Sequence, residues 1–329
     1  MGDISLGLYI VLFLILCAEF VNGWTDAPNA IATVISTRVL SPLVAIVMAA
    51  VFNLLGVLSG TAVAETIGTE LVNPGIINMT TISSCMIAVI VWSSIAARLG
   101  LPTSESHALV AGLGGAAIAT AGFNVLVWEG WKKVLLGFVF SSFFGFMGGL
   151  ILMTIIYHVF KKFSAAKMRK SFNYLQMVSS AFMAFAHGSN DGQKFMGLFT
   201  LVLVMTHNLP HFIIPSWVMF TCAFVMFIGT LTGGWRIIKT MGFKITQLDT
   251  PQGFSAEMAA GSTIALASCF GIPLSTTHTI NTAIMGVGAT KRFSAIRWGI
   301  TAHIIAAWIL TFPICGLIGY GVALFLQLF

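Results

Sequence analysis

The sequence predicts an all-α, polytopic membrane protein assembled from two copies of one plan. Three observations predict it. Only 8% of the 329 residues are charged while 57% are hydrophobic, and the mean hydropathy is +0.96. A soluble domain carries about 25% charge, so this chain has too little to cover a water-facing surface. Apolar runs approaching the roughly 20 residues that a helix needs to cross a bilayer recur along the whole chain. Polar motifs interrupt those runs in the same order in each half.

Taken in order, the clearest runs cover 5–21, 40–60, 76–97, 134–160, 212–231 and 296–326. Weaker, interrupted runs cover 106–123, 173–187, 195–209, 257–270 and 279–290. Together they predict about 10–12 membrane elements. The first run, broken only by Glu19, has no basic leading segment and no small-residue cleavage pattern. It reads as a retained span rather than a cleaved signal. Between the halves lies a cluster of basic residues, Lys161, Lys162, Lys167, Arg169 and Lys170. Positive-inside bias predicts that this segment is cytoplasmic. The chain therefore divides into a first membrane repeat (1–160), a basic connecting loop (161–172) and a second repeat (173–329).

The net charge of +6 resides largely in short loops, so it does not suggest nucleic-acid binding. The five cysteines are widely separated in apolar segments and read as small buried hydrophobes. Some of the eight tryptophans should mark the membrane interfaces.

The repeat rests on three ordered matches. Gly23-Trp24-Thr25-Asp26-Ala27-Pro28-Asn29 pairs with His187-Gly188-Ser189-Asn190-Asp191-Gly192-Gln193-Lys194 when the aspartates are aligned. Gly60-Thr61 pairs with Gly229-Thr230. Gly100-Leu101-Pro102-Thr103-Ser104-Glu105-Ser106-His107 pairs with Gly271-Ile272-Pro273-Leu274-Ser275-Thr276-Thr277-His278. The three offsets are 165, 169 and 171 residues. Paired interruptions at corresponding positions are the pattern of secondary transporters, in which two oppositely oriented repeats can open to either side around a central site.

Asp26, with Thr25 and Asn29, and Asp191, with Asn190, follow apolar stretches. An ionised carboxylate at membrane depth needs a cation or a wet cavity. Carboxylate, amide and hydroxyl oxygens together suit a hard cation. Pro28 and the glycines around both aspartates predict broken helices that expose further carbonyl ligands. The same sequences also make good turns at a membrane surface. The Pro-x-Ser motifs predict helix N-termini facing a cavity, where Ser104, Ser106, Ser275, Thr276 and Thr277 offer hydroxyls and free N–H groups to an anion. Ordinary N-capping explains part of the same pattern. His107 and His278 fit either of two roles, contact with the anion or its protons, and packing.

No P-loop, zinc-protease pair or nucleophile elbow is present, so enzyme chemistry and nucleotide-driven transport within this chain are not expected. No cofactor is expected either. Glu19, Glu65, Glu70, Glu105 and Glu257 rank below the repeated acids as functional candidates.

These motifs, spanning nearly the whole chain, resemble those of the inorganic phosphate transporter (PiT) family in its compact prokaryotic form. The resemblance implies inverted-topology repeats with paired re-entrant hairpins, multi-pass residence in the cell membrane and a homodimer. It implies secondary active symport of inorganic phosphate with sodium or protons by alternating access. A sulfate symporter of the same family and an anion channel are the alternatives. Carried onto this sequence, it implies cation contacts at Asp26, Asn29, Asn190 and Asp191, as metal ligands if sodium is the coupling ion. It implies phosphate contacts at Ser104, Ser106, Ser275, Thr276 and Thr277, while Gln193 can serve either ion. Two positions depart from the family pattern: Thr25 stands where asparagine is usual, and Lys194 stands where symmetry with Asn29 calls for a neutral ligand. Lys194 is therefore a candidate for cation replacement or anion contact.

Overall fold

The computed structural model describes residues 2–71 and 77–328. Residues 1 and 329, at the outer ends of the two repeats, and residue 76, the start of one apolar run, lie outside that range. The described residues form thirteen α-helices and short 3-10 and π turns.

In the first half, α1 (Gly2–Thr25) leads into α2 (Pro28–Ser36), followed by α3 (Pro42–Val57), α4 (Ala62–Thr69), α5 (Met79–Leu99), α6 (Glu105–Ala121) and α7 (Trp128–Phe160). The second half runs through α8 (Ala165–Met205), α9 (Ser216–Thr232), α10 (Trp235–Lys239), α11 (Thr250–Cys269), α12 (Thr276–Ala289) and α13 (Trp298–Leu326). The halves correspond element by element. Each begins with a long polar-centred rod, α1–α2 or α8. Each continues with a bent pair, α3–α4 at 68° or α9–α10 at 61°. Each then has a helical hairpin, α5–α6 or α11–α12, a 3-10 turn (Phe123–Val125 or Phe293–Ala295), and a long helix opening on an exposed tryptophan, Trp128 or Trp298.

Among the described residues four spans, Leu6–Ser36, Met79–Leu99, Trp128–Phe160 and Trp298–Leu326, are long and apolar enough to cross a bilayer, and the number is six when each bent pair counts as one span. Leu43, Phe140, Ile309 and Leu317 are exposed on outward faces, where lipid rather than water suits them. All five cysteines are free. The turn between α7 and α8 covers only 161–164, so most of the basic segment expected as a loop is already the first turns of α8.

The breaks fall differently from the sequence expectation. Pro28 has no N–H, and the helix pauses at Asp26 and Ala27, yet α1 and α2 still count as one 31-residue span. In the second copy α8 runs unbroken through His187–Lys194. No proline stands there, and its glycines serve contact rather than bending. A Cβ on Gly188 would lie 2.2 Å from the Asn53 carbonyl oxygen, and one on Gly192 would lie 2.3 Å from Val57. The sharp bends lie in the next element instead.

The two halves are interleaved. Helix α1 packs on α9 and α3 on α8; α7 packs on α11 and α12, and α13 on α5 and α6. Small residues make these approaches possible. A Cβ on Gly229 would meet the Phe20 carbonyl at 2.3 Å, and one on Gly56 would meet the Phe185 carbonyl at 2.1 Å. Phe20 and Phe185 are equivalent in the aspartate alignment, so Gly56 is the structural partner of Gly229. The sequence match of Gly60 with Gly229 is displaced by about one helical turn. Gly188→Ala is accordingly expected to destabilise the protein by about 1–3 kcal/mol, the usual cost of overpacking. Gly299→Ala, with nothing within 4 Å, should leave the melting temperature of the detergent-solubilised protein unchanged.

Candidate functional site

The Gly-x-Pro-x-Ser motif is the turn of each hairpin. Gly100 (φ 71°) and Gly271 (φ 62°) sit in the left-handed region that ends α5 and α11. After a short extended stretch, Ser104 and Ser275 act as N-caps, accepting from the backbone N–H of His107 at 3.3 Å and of His278 at 3.2 Å. The two caps meet, with Ser275 Oγ donating to Ser104 Oγ at 2.8 Å. Two helix N-termini from opposite halves therefore converge on one buried point, where their partial positive charges add.

The repeated acids arrive at the same point. Asn29 Nδ2 donates to Asp26 Oδ1 (2.9 Å) and to Thr277 Oγ1 (2.8 Å), and Thr277 Oγ1 lies 2.7 Å from Asp26 Oδ1 and 3.1 Å from the Thr103 carbonyl. The mirror set uses the equivalent residues. Lys194 Nζ donates to Asp191 Oδ1 and, at 2.5 Å, to Ser106 Oγ, while Ser106 Oγ donates to the Leu274 carbonyl at 2.7 Å. Lys194 Nζ also donates to the Leu274 carbonyl at 2.9 Å, so all three of its N–H groups have acceptors. Asp191 Oδ2 accepts from Thr276 Oγ1 at 2.7 Å and stands 3.3 Å from His187 Nε2. His187 Nδ1 in turn lies 3.0 Å from Asn53 Oδ1. One ligand atom from each of Asp26, His187 and Asp191 lies within 4.8 Å of the others, a spacing a cation can bridge. All of these side chains are buried.

Several predicted residues take other positions. Asn190 holds the second hairpin turn: its Nδ2 donates to Ser268 Oγ and the Ile272 carbonyl, and its Oδ1 accepts from the Leu274 N–H. Thr25 Oγ1 instead reaches Glu105 Oε1 at 2.7 Å. Gln193 Oε1 accepts from the Val63 N–H at 3.0 Å and so anchors the start of α4. The two histidines lie behind the caps in an aromatic nest. Their ring centres are 4.3 Å apart, His107 abuts Phe138 at 4.1 Å, and His278 stacks on Trp308 at 3.8 Å. His278 Nδ1 lies 3.3 Å from Ser142 Oγ, and both ring nitrogens of His107 have no hydrogen-bond partner among the described residues.

Three acids outside the repeated motif positions of aspartate, Glu19, Glu105 and Glu257, are also buried. Glu19, Asn22 and Asp26 are spaced at three and four residues, which puts them on one face of the α1 rod. Both carboxylate oxygens of Glu19 and both polar side-chain atoms of Asn22 lack hydrogen-bond partners. Glu105 also reaches the centre, through Thr25. Glu257 occupies a separate cluster with Thr33 Oγ1 at 2.5 Å, Gln176 Nε2 at 3.1 Å and Ser179 Oγ as donors. Only tertiary contact could assemble that cluster, since its members are scattered over α2, α8 and α11. Glu257→Leu would strand two buried donors, Thr33 Oγ1 and Gln176 Nε2, at about 1–3 kcal/mol for each unsatisfied group, while Ser179 Oγ could turn to the Gln176 carbonyl. Glu257→Gln retains acceptor capacity at the amide oxygen. Thermal denaturation should therefore rank wild type, then Glu257→Gln, then Glu257→Leu, with the last much the least stable.

A polytopic helical protein whose buried polar centre is drawn from two matching halves belongs to the class of membrane transporters rather than enzymes. Residues 22–319 match the sequence profile of the Phosphate transporter family. A probable low-affinity inorganic phosphate transporter of Rhizobium meliloti (strain 1021) is 43% identical over 302 residues, covering 91% of this chain and 90% of that protein. A protein of the same description from Bacillus subtilis (strain 168) is 39% identical over 319 residues, covering 95% of this chain and 96% of that one. A solved structure described as the sodium-dependent phosphate transporter shares the fold, with a TM-score of 0.89 at 22% identity, over 98% of this chain and 99% of that chain. The chain belongs to the phosphate transporter family.

Proposed function

We propose that this protein is a secondary active symporter that moves inorganic phosphate across the cell membrane with a sodium ion or proton. The observation that carries this reading is the meeting of two capped helix N-termini with two repeated acids at one buried point. An oxyanion and a cation bound side by side would neutralise each other there, lowering the cost of taking either through a low-dielectric interior. In this reading Ser104, Ser106, Ser275, Thr276 and Thr277 line the phosphate place, and Asp26, Asn29 and Asp191 serve the cation.

The exchanged packing of equivalent elements supports two repeats of inverted topology, covering 1–160 and 173–329. Helices α6 and α12, of 17 and 14 residues, are about 26 and 21 Å long at 1.5 Å per residue, short of a bilayer core. That length supports a re-entrant second arm in each hairpin, α6 and α12, with the turns of the two hairpins meeting inside the membrane. The bends in α3–α4 and α9–α10 supply joints about which each half can move during alternating access.

Purified protein in liposomes should accumulate labelled phosphate when an inward sodium or proton gradient is imposed, and stop when the gradient is collapsed. Varying sodium and pH independently, with sulfate as a competing substrate, identifies the coupling ion and the anion. Phosphate flux indifferent to both gradients would instead describe a channel and defeat the symport reading.

A further inference from the structure

The two halves of the central site are equivalent in position but not in charge. In the second half, Asp191 faces Lys194 and Thr276. At the corresponding places in the first half, Asp26 faces Asn29, while Glu105 stands at the position equivalent to Thr276 and bonds to Thr25, the neighbour of Asp26. The hydrogen bonds are matched: Lys194 reaches the acid three residues earlier and the hydroxyl of Ser106, while Asn29 reaches the acid three residues earlier and the hydroxyl of Thr277. One half thus carries its own ammonium ion. The other has a second carboxylate and no fixed cation.

Two further atoms point the same way. Asn29 Oδ1 is a buried acceptor without a hydrogen-bond partner, and Glu105 Oε2 makes no bond of good geometry, with only the otherwise unpartnered Ser93 hydroxyl beside that carboxyl. Glu105 is 2% exposed and Asn29 0%. Buried acceptors of this kind call for a missing donor or ion. A proton on Glu105 would satisfy one carboxylate and leave the amide oxygen of Asn29 bare. A hard monovalent cation takes several oxygens at once, and the Asp26 carboxylate, Glu105 Oε2 and Asn29 Oδ1 are all of that type.

We propose that Glu105 is a cation ligand, forming with Asp26 and Asn29 a site for one exchangeable sodium ion, and that Lys194 permanently fills the equivalent place in the second half. The proposal rests on the cation-coupled reading and refines it: symmetry offers two places, and this chain leaves one of them to a soluble ion. The Lys194 ammonium lies against Asp191, and its carbonyl and hydroxyl partners are of the kind that would otherwise face a bound cation. A conversion that makes the halves alike should therefore change the number of ions bound.

The test measures binding of radioactive sodium to the purified full-length protein in detergent without phosphate, together with melting temperature as a function of sodium. Wild type is expected to bind one equivalent. Glu105→Gln, and Glu105→Thr, which copies the residue of the other half, should each weaken that binding at least ~10-fold, or about 1.4 kcal/mol. Lys194→Asn should gain a second equivalent and a melting temperature that rises more steeply with sodium, because ligand bound only to the folded state stabilises it. Two equivalents bound to wild type, undiminished binding in both Glu105 variants, or no added equivalent in Lys194→Asn would each overturn the proposal. So would absence of sodium binding at any pH in a preparation that still accumulates phosphate under a proton gradient. In that case coupled transport stands and the sodium site alone fails. A preparation that accumulates no phosphate under either gradient counts against the transport reading itself.

Discussion

Asp191→Ala is expected to cost the protein its stability as well as its transport. Asp191 is the carboxylate partner of Lys194, and each side chain is only 1% exposed. Removing the acid leaves an ammonium ion in the membrane interior with a hydroxyl and a carbonyl for company. Breaking a buried pair in this way costs about 3–5 kcal/mol, a large part of a typical folding free energy. The purified variant should melt well below wild type or fail to remain folded in detergent. Asp191→Ala combined with Lys194→Met should recover most of the melting temperature, since the stranded charge has gone, yet accumulate no phosphate. A single Asp191→Ala variant that melts with the wild type would show that the pair does not hold the centre together.

The equivalent change in the first half should behave differently. Asp26 accepts from Asn29 and Thr277, both neutral, so Asp26→Ala strands no fixed charge. The protein should stay folded while gradient-driven phosphate uptake in liposomes falls at least ~100-fold, equivalent to about 2.7 kcal/mol. Uptake within a factor of two of wild type would remove Asp26 from the cation pathway. The pair of variants is informative because sequence symmetry alone expects the same outcome from both. The difference comes from Lys194 standing where Asn29 would have its counterpart.

Much of the arrangement was legible in the chain. The Gly-x-Pro-x-Ser motifs mark both hairpin turns, because a left-handed glycine and an N-capping serine at that spacing allow few other shapes. The matching aspartates do meet, and the repeated hydroxyls do surround them. The expectation of a second broken helix failed because glycine has two uses. At Gly188 and Gly192 it admits a neighbouring helix, which no local pattern distinguishes from a break. The anchoring roles of Asn190 and Gln193 were hidden for a similar reason, since an amide that ligates an ion and one that ties down a turn look alike in sequence.

The sequence by itself determined that this protein lives in a membrane and that each half of the chain brings an acid and a hydroxyl-rich turn. Composition and periodicity decide these features, because transfer to lipid and local capping depend on residues close together in the chain. Tertiary structure alone decided which groups share the centre. It drew Glu105 to Thr25 beside Asp26, gathered Glu257 with Thr33, Gln176 and Ser179, and turned both motif histidines into an aromatic nest. Electrostatic and hydrogen-bond energies depend on distance in space, and the packing of helices from opposite halves sets that distance here.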